Sequence, residues 1–457
     1  MKKNYVLDTN VLIHTPYALA SFEDNRIILP LAVIEELDGI KKADGEKGRN
    51  ARQAIRFLEQ FRTEGNLTEG VRLPWGGELR IEINHIDVEL PAGFNPESPD
   101  NRILKVCKGL MQKNEKVILV TKDMVVRIKA QIMGIPVEDF TTDQVPTATE
   151  SYTGRQEVYA PEDLLADFRK DGLPSGELYT IDEKGNSVPV DSAENEFFII
   201  HSDVEQKKTL LGRRVGDRII PLRYERRNPF GVKPKNVGQK FIQEALLLPA
   251  AKIPLVIIKG PAGTAKTFYS LAVGLDKIVD DNGAEYRKIL VCRPNAQFDE
   301  DIGFLPGSEK EKISPLMRPI LDNLEILFGI QSMHKKSQTT EDIQTSINYL
   351  FDGGMIEAQA MNFMRGRSIT GSWLIIDEAQ NLTPRQVKGI ITRVGEGTKV
   401  ILVGDPAQID NTLLDERSNG LSYAADRMKG SPLCAQITMF SEECERSELA
   451  LDAGKRM

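Results

Sequence analysis

The chain has 457 residues, 40% of them hydrophobic and 28% charged, with a formal net charge of −8 at neutral pH. Such a length exceeds one ordinary core and predicts two large domains with something smaller between them, while no apolar run approaches the roughly 20 residues that span a bilayer. Lys2 and Lys3 precede an apolar stretch, but Asp8 interrupts it and no small-residue cleavage site follows, so no secretory signal is expected and a cytoplasmic protein is.

From residue 4 to 140 short apolar runs (YVLD, RIILPLAVIEEL, RIEINH, KVILVTKD) alternate with amphipathic stretches, one of them Arg- and Lys-rich from Arg49 to Phe61. This rhythm predicts a compact α/β domain on a parallel sheet over residues 1–143. Asp8 follows the first strand in VLDTN, Glu36 lies in VIEELDGI, Asp100 sits in PDNRIL at a helix start, and Asp123 ends the strand of VILVTKD. Parallel sheets gather residues from the carboxyl ends of their strands in one crevice. Four carboxylates there repel one another unless a cation fills the gap, which makes each a candidate metal ligand and catalytic residue. Cys107, Cys292, Cys434 and Cys444 show no CxxC spacing, and His14, His85, His201 and His334 form no ligand pattern, so any metal must be held by oxygen. Magnesium or manganese suits such ligands, and one or two ions would activate a water and stabilise the leaving oxygen of a phosphodiester.

An Asp after a strand, taken alone, is more often a turn residue or helix cap. The order of the motifs carries more: DTN near the start, an acid in a VIEEL helix, D-x-R-I-L, then T-K-D resembles the PIN domain family of metal-dependent ribonucleases over residues 4 to 141. The resemblance implies Glu36 rather than Glu35, because the family's acid directly precedes the leucine, and adjacent helical positions face different ways. Asn10 and Thr121 are expected to orient the carboxylates. Lys41, Lys42, Lys47, Arg49, Arg52 and Arg56 follow Glu36 and read either as a grip on substrate phosphates or as a solvated helix face.

Residues 144–174 open polar, with Pro, Thr and Ser, and are expected as a linker; residues 175–230 hold short β-like runs and are expected as a small β-rich subdomain. An acidic chain needs a local basic surface to bind nucleic acid. Lys207, Lys208, Arg213, Arg214, Arg218, Arg223, Arg226, Arg227, Lys233 and Lys235, with Tyr224 among them, offer one here, as a backbone track or as an ordinary solvated face.

Residues 231–457 are strongly α/β. In PLVIIKGPAGTAKTFYSLAVGL an apolar strand runs into a Gly-rich turn and then a helix, the setting a phosphate-binding loop requires. Gly260, Pro261, Ala262, Gly263, Thr264 and Ala265 would wrap the phosphates, Lys266 would neutralise their charge, and Thr267 would hold magnesium. Ala265 stands where a second glycine normally precedes the lysine; a methyl group there would crowd a left-handed or close-approach backbone position and leaves affinity and turnover open. SWLIIDEAQN places Asp377 on the magnesium shell and Glu378 beside the attacking water, and TKVILVGDPAQID brings Asp405 and Gln408 to the same sheet edge.

The set GPAGTAKT, RGRSITGSWLIIDEAQN and VGDPAQID resembles the PhoH-like family, whose ATPase core is RecA-like and similar to that of superfamily one helicases. The resemblance implies that Gln239 reads the adenine edge, that Arg365 and Arg367 contact nucleotide or strand, and that Arg446 stabilises charge on the γ-phosphate. PIN followed by PhoH-like ATPase is a known pairing. It implies a ring, hexameric by expectation, that couples ATP-driven RNA unwinding or translocation to RNA cleavage. A nucleotide-gated RNA-binding switch with little turnover, a DNA-directed nuclease and ATPase, and a phosphate-starvation regulator without nuclease action remain as alternatives.

Overall fold

The computed structural model describes the chain except residues 1–2, 17, 23, 44, 74–76, 84, 141–151, 183, 205–208, 280–283, 295–308, 336–339, 360–368, 412–413 and 446–457. Residues 1–142 form one compact unit, and residues 143–298 with 302–457 form another.

The first unit is built on β1 (Asn4–Leu7), β2 (Arg26–Pro30), β3 (Val71–Arg72), β4 (Glu78–Glu82), β5 (Val117–Val120) and β6 (Val137–Glu138), in the order β3-β4-β2-β1-β5-β6. All neighbours are parallel except β3 with β4. Val6, Leu7, Ile28, Leu29, Leu119 and Val120 are buried, because helices cover the sheet and its central strands read as unbroken apolar runs. Around it lie α1 (Thr9–His14), α2 (Leu31–Ile40), α3 (Gly45–Glu64), α4 (Pro99–Gln112) and α5 (Met124–Ile132). Pro99 opens α4 at the first helical position, where its missing N–H costs nothing. Successive strands leave β1 on opposite sides, so the carboxyl ends of β1 and β5 flank a topological switch point.

In the second unit a seven-stranded sheet has the order β10-β9-β7-β11-β12-β13-β8, with β7 (Arg155–Ala160), β8 (Leu173–Pro174), β9 (Tyr179–Ile181), β10 (Ser187–Pro189), β11 (Phe197–Ser202), β12 (Thr209–Val215) and β13 (Arg218–Pro221). This corrects the expected linker over 144–174. Residues 155–174 carry an inner strand, β7, then α6 (Glu162–Ala166), α7 (Phe168–Asp171) and β8. Alternation explains the difference: β7 buries only Val158 and Ala160, so its polar outward residues dominate its composition. One face packs Val158, Phe168, Phe198, Ile200 and Ile219 together. The other sends Phe197 onto Phe241 of the C-terminal core, ring centroids 4.9 Å apart, so the sheet packs into that core rather than standing as a free subdomain.

The C-terminal sheet is wholly parallel, in the order β16-β15-β17-β18-β14-β19, from β14 (Leu255–Lys259), β15 (Lys288–Cys292), β16 (Ile356–Gln359), β17 (Ser372–Ile376), β18 (Lys399–Gly404) and β19 (Cys434–Thr438). Every residue of β14, β17 and β18 is buried, as a sheet layered on both faces demands. The helices are α8 (Val237–Leu247), α9 (Lys266–Ile278), α10 (Glu309–Lys335), α11 (Thr340–Asp352), α12 (Pro384–Ile391) and α13 (Gly420–Arg427). Lys399 is fully buried yet satisfied, donating to the Ala245 and Leu248 carbonyls that α8 leaves over at its end. No described helix is long and apolar enough to cross a membrane.

Candidate active sites

In the first unit Asp8 precedes α1 at the end of β1 and is buried. Its Oδ2 accepts hydrogen bonds from Thr121 Oγ1 at 2.5 Å and Asn10 Nδ2 at 2.7 Å, and Asn10 Nδ2 also reaches Thr121 Oγ1 at 3.1 Å. Burial pushes its carboxyl up to about 6; Asp100 and Glu36 add to the rise and the Thr121 hydroxyl opposes it. Glu36 is raised as well, by burial first and by Asp100, while the Thr9 hydroxyl donates to it. Asp8, Glu36 and Asp100 therefore lie within electrostatic reach of one another, on three separate elements. Glu35, one residue before Glu36, faces outward and takes Arg102 Nη1 at 2.7 Å.

Asp123 stands differently. It is exposed, and its Oδ1 caps α5 by accepting from Val125 N at 2.6 Å and Val126 N at 3.3 Å. Two cations stand beside the acids: Lys129, its Nζ 3.6 Å from Asp100 Oδ2, and Arg102, whose charge opposes the rise at Glu36. An all-carboxylate donor set, in which the Asp100 charge raises both Asp8 and Glu36, fits a hard divalent cation in its chemistry. In spacing it is open: among the described residues no three acidic, His or Cys side chains stand close enough to hold an ion as they are. Of the basic residues after Glu36, Lys41 pairs with Asp38 and Arg52 Nη1 donates to the Lys41 carbonyl at 2.6 Å, so two of them serve the local fold.

In the C-terminal half the loop after β14 departs from ordinary backbone at Gly260 (φ 142°), Gly263 (φ 86°) and Ala265 (φ 63°). A side chain on Gly260 would press within 2.7 Å of Met439, which explains that glycine by close approach. Ala265 is in the left-handed region, the crowding expected from its sequence position. Pro261, Ala262 and Thr264 complete the loop, with Thr264 Oγ1 donating to the Pro261 carbonyl at 2.8 Å. Lys266 Nζ donates to the carbonyls of Gly260 at 2.6 Å and Pro261 at 2.8 Å. Burial lowers its pKa, and Asp405, Asp377 and Glu378 counter that. The ends of β14, β17 and β18 thus share one electrostatic site.

Thr267 Oγ1 donates to Asp377 Oδ1 at 2.7 Å, and burial raises the Asp377 carboxyl. Glu378 adopts φ 55°, ψ 39°, a conformation a non-glycine residue holds only when its surroundings insist. They do: Arg293 Nη2 donates to one carboxylate oxygen at 3.0 Å and Gln380 Nε2 to the other at 2.6 Å. The buried Gln380 also donates to the Gln408 carbonyl at 2.7 Å and accepts from Asp405 N at 3.1 Å, joining the DEAQN and GDPAQID motifs in one network. Gln408 enters that network through its backbone, its side chain being exposed. Gln239 is buried in the first turn of α8, its amide oxygen accepting from Lys235 N at 2.8 Å. Sequence reasoning passed over Arg293 and Gln380, although Arg293 follows β15 directly and the strand-end rule that flagged Asp377 applies to it equally. Arg365, Arg367 and Arg446 lie outside the described residues.

The basic residues of the middle sheet are largely committed. Arg213 is buried against Asn195, Arg214 holds the Ser192 carbonyl, and Arg218 donates to the Asp171 carbonyl at 2.7 Å. Arg227 pairs with Asp276 and Lys235 with Glu445.

The family described as PhoH-like protein matches residues 231–455, and that described as PIN domain matches residues 5–141. Over 98% of both chains the sequence is 40% identical to "Protein PhoH2" of Bacillus subtilis. The chain belongs to the PhoH-like family. Within that family it is also similar to "Protein PhoH2" of Mycolicibacterium smegmatis, 32% identical over 98% of this chain and 95% of the relative. A shorter "PhoH-like protein" of Bacillus subtilis is 35% identical over 48% of this chain and 61% of its own length. This PhoH-like chain joins a PIN domain at its N-terminus to a PhoH P-loop domain at its C-terminus.

Proposed function

We propose that the chain is an ATP-dependent RNA helicase or translocase coupled to a metal-dependent endoribonuclease, working as a ring, hexameric by expectation, in the cytoplasm. The observation that carries the ATPase half is the Thr267 to Asp377 hydrogen bond at 2.7 Å beside a lysine whose charge is felt by Asp377, Glu378 and Asp405. Lys266 exchanges its loop carbonyls for phosphate oxygens of ATP, Gln239 faces the base, and Glu378, already gripped by Arg293 and Gln380, orients the attacking water. Thr267 and Asp377 hold magnesium, and Arg446 answers charge developing on the γ-phosphate. In the PIN domain Asp8, Glu36, Asp100 and Asp123 are the residues that would hold magnesium or manganese, with Asn10 and Thr121 fixing Asp8. When bound, such an ion supplies an activated water and neutralises charge on a phosphodiester. Opened strands from the motor are the substrate for that cut.

The test uses the purified full chain with ATP and magnesium or manganese, offered RNA and DNA strands of matched sequence. Lys266→Ala abolishes ATP hydrolysis while sparing cleavage of unstructured RNA, and Asp100→Asn does the reverse. Equal loss of both activities in either variant, cleavage without added metal, or preference for DNA overturns the reading.

A further inference from the structure

Residues Tyr152 to Arg155 lie within the stretch expected as a linker, and they are fastened to the ATPase sheet. Lys259 Nζ, one residue before the phosphate loop, donates to the Tyr152 carbonyl at 3.2 Å, and Thr438 N donates to the Thr153 carbonyl at 2.8 Å. Arg155 goes further. Its Nη1 meets Glu443 Oε1 at 2.8 Å, with the two side chains only 8% and 11% exposed, and its guanidinium lies 4.2 Å from the centre of the Phe440 ring.

Glu443 is the joint of this arrangement. The same Oε1 accepts from Gly238 N at 2.9 Å in the first turn of α8, Oε2 accepts from Phe440 N at 3.0 Å, and the Glu443 carbonyl takes Asn236 Nδ2 at 3.2 Å. A carboxylate at a helix N-terminus is favoured by the helix dipole. Gly238 is required for the contact: a Cβ there would lie 2.6 Å from Glu443 Oε1 and 2.7 Å from Arg155 Nη1. Gln239, the residue assigned to the base, comes next. On the other side the strip after β19 borders the phosphate loop, with Met439 against Gly260, Cys444 Sγ on the Ala262 carbonyl at 3.2 Å and Glu445 N on the Gly263 carbonyl at 2.9 Å.

A carboxylate this enclosed is tolerated because a cation pairs with it. Without Arg155 it turns toward water, releasing both the α8 turn and the strip along the loop. We propose that Arg155 is a positioning residue for the nucleotide pocket, acting through Glu443 on the base side and the phosphate side together. It lies outside residues 231–455, the part matched to the PhoH-like family, so the pocket is completed from the segment leading out of the PIN domain. The inference rests on the nucleotide reading given above.

Steady-state ATP hydrolysis and binding of a fluorescent ATP analogue by the full chain test it, with thermal melting of every variant and Lys266→Ala as control. Arg155→Ala is expected to raise the KM for ATP about ten- to a hundredfold while kcat changes by less than about threefold, and Arg155→Lys to recover most of the loss. Glu443→Gln keeps an acceptor for Gly238 but not the ion pair and should resemble Arg155→Ala; it and Arg155→Lys carry the test if Arg155→Ala does not fold. A lower melting temperature with KM and analogue affinity within about twofold of the wild type means a merely structural pair and overturns the proposal. If wild type and Lys266→Ala bind and hydrolyse alike, the nucleotide reading itself falls and takes this one with it; an active wild type matched by Arg155→Ala sinks this one alone.

Discussion

The Thr267 hydroxyl donates to Asp377 Oδ1 at 2.7 Å, tying the first turn of α9 to the end of β17 across 110 residues of chain. Both oxygens belong to the donor class magnesium prefers, and Asp377 is buried enough that its carboxyl is raised. Thr267→Ala should lower kcat/KM for magnesium-ATP by about a hundredfold, whereas Thr267→Ser, which keeps the hydroxyl, should stay within about tenfold of the wild type. A magnesium titration of ATP hydrolysis distinguishes them, and equal loss in both would mean that the methyl group, not the hydroxyl, matters.

Ala265 holds φ 63°, ψ 23° at the start of α9. An L-residue with a Cβ is disfavoured there by about 1 kcal/mol relative to glycine. Ala265→Gly should therefore raise stability by about that amount and leave ATP turnover equal or faster. Chemical denaturation and initial rates measure it; a less stable glycine variant would contradict the strain.

Asp8 titrates at about 6 in the folded protein against an ordinary value of 3.8, chiefly through burial. The folded state then binds more protons than the unfolded one between those values, so stability falls as pH rises through the window and the full penalty, about 3 kcal/mol at most, stands above it. Asp8→Asn should be the more stable protein at pH 7.5, flatter between about pH 4 and 6, and inactive in cleavage. Manganese should stabilise the wild type at pH 7.5 and not the variant. Urea unfolding at the two ends of the window decides, and an Asn variant weaker than wild type at pH 7.5 would be the wrong sign.

Asp123 caps α5 while also standing among the proposed metal ligands. Asn keeps the cap and loses the charge, so Asp123→Asn should lose metal-dependent cleavage with stability nearly unchanged. Asp123→Ala should cost about 1 kcal/mol more. Full cleavage by the Asn variant would leave three acids, not four, in the site.

Much of this molecule is legible along the chain, for a reason that differs between its parts. Parallel strands covered on both faces read as unbroken apolar runs, so β1, β5, β14, β17 and β18 announce themselves, and the residues at their carboxyl ends follow from topology alone. Asp8, Lys266, Asp377 and Asp405 are local in this sense, as is the strain at Ala265, which a single missing glycine predicts. Strand β7 is hidden, because only Val158 and Ala160 point inward and its polar face reads as linker. Arg155 with Glu443, 288 residues apart, and Arg293 with Glu378, 85 apart, leave no periodic trace at all. Which charge neutralises which is settled by packing. Local pattern sets where a strand ends; burial decides which distant side chain must meet it, since an unpaired charge inside the protein is too costly to leave.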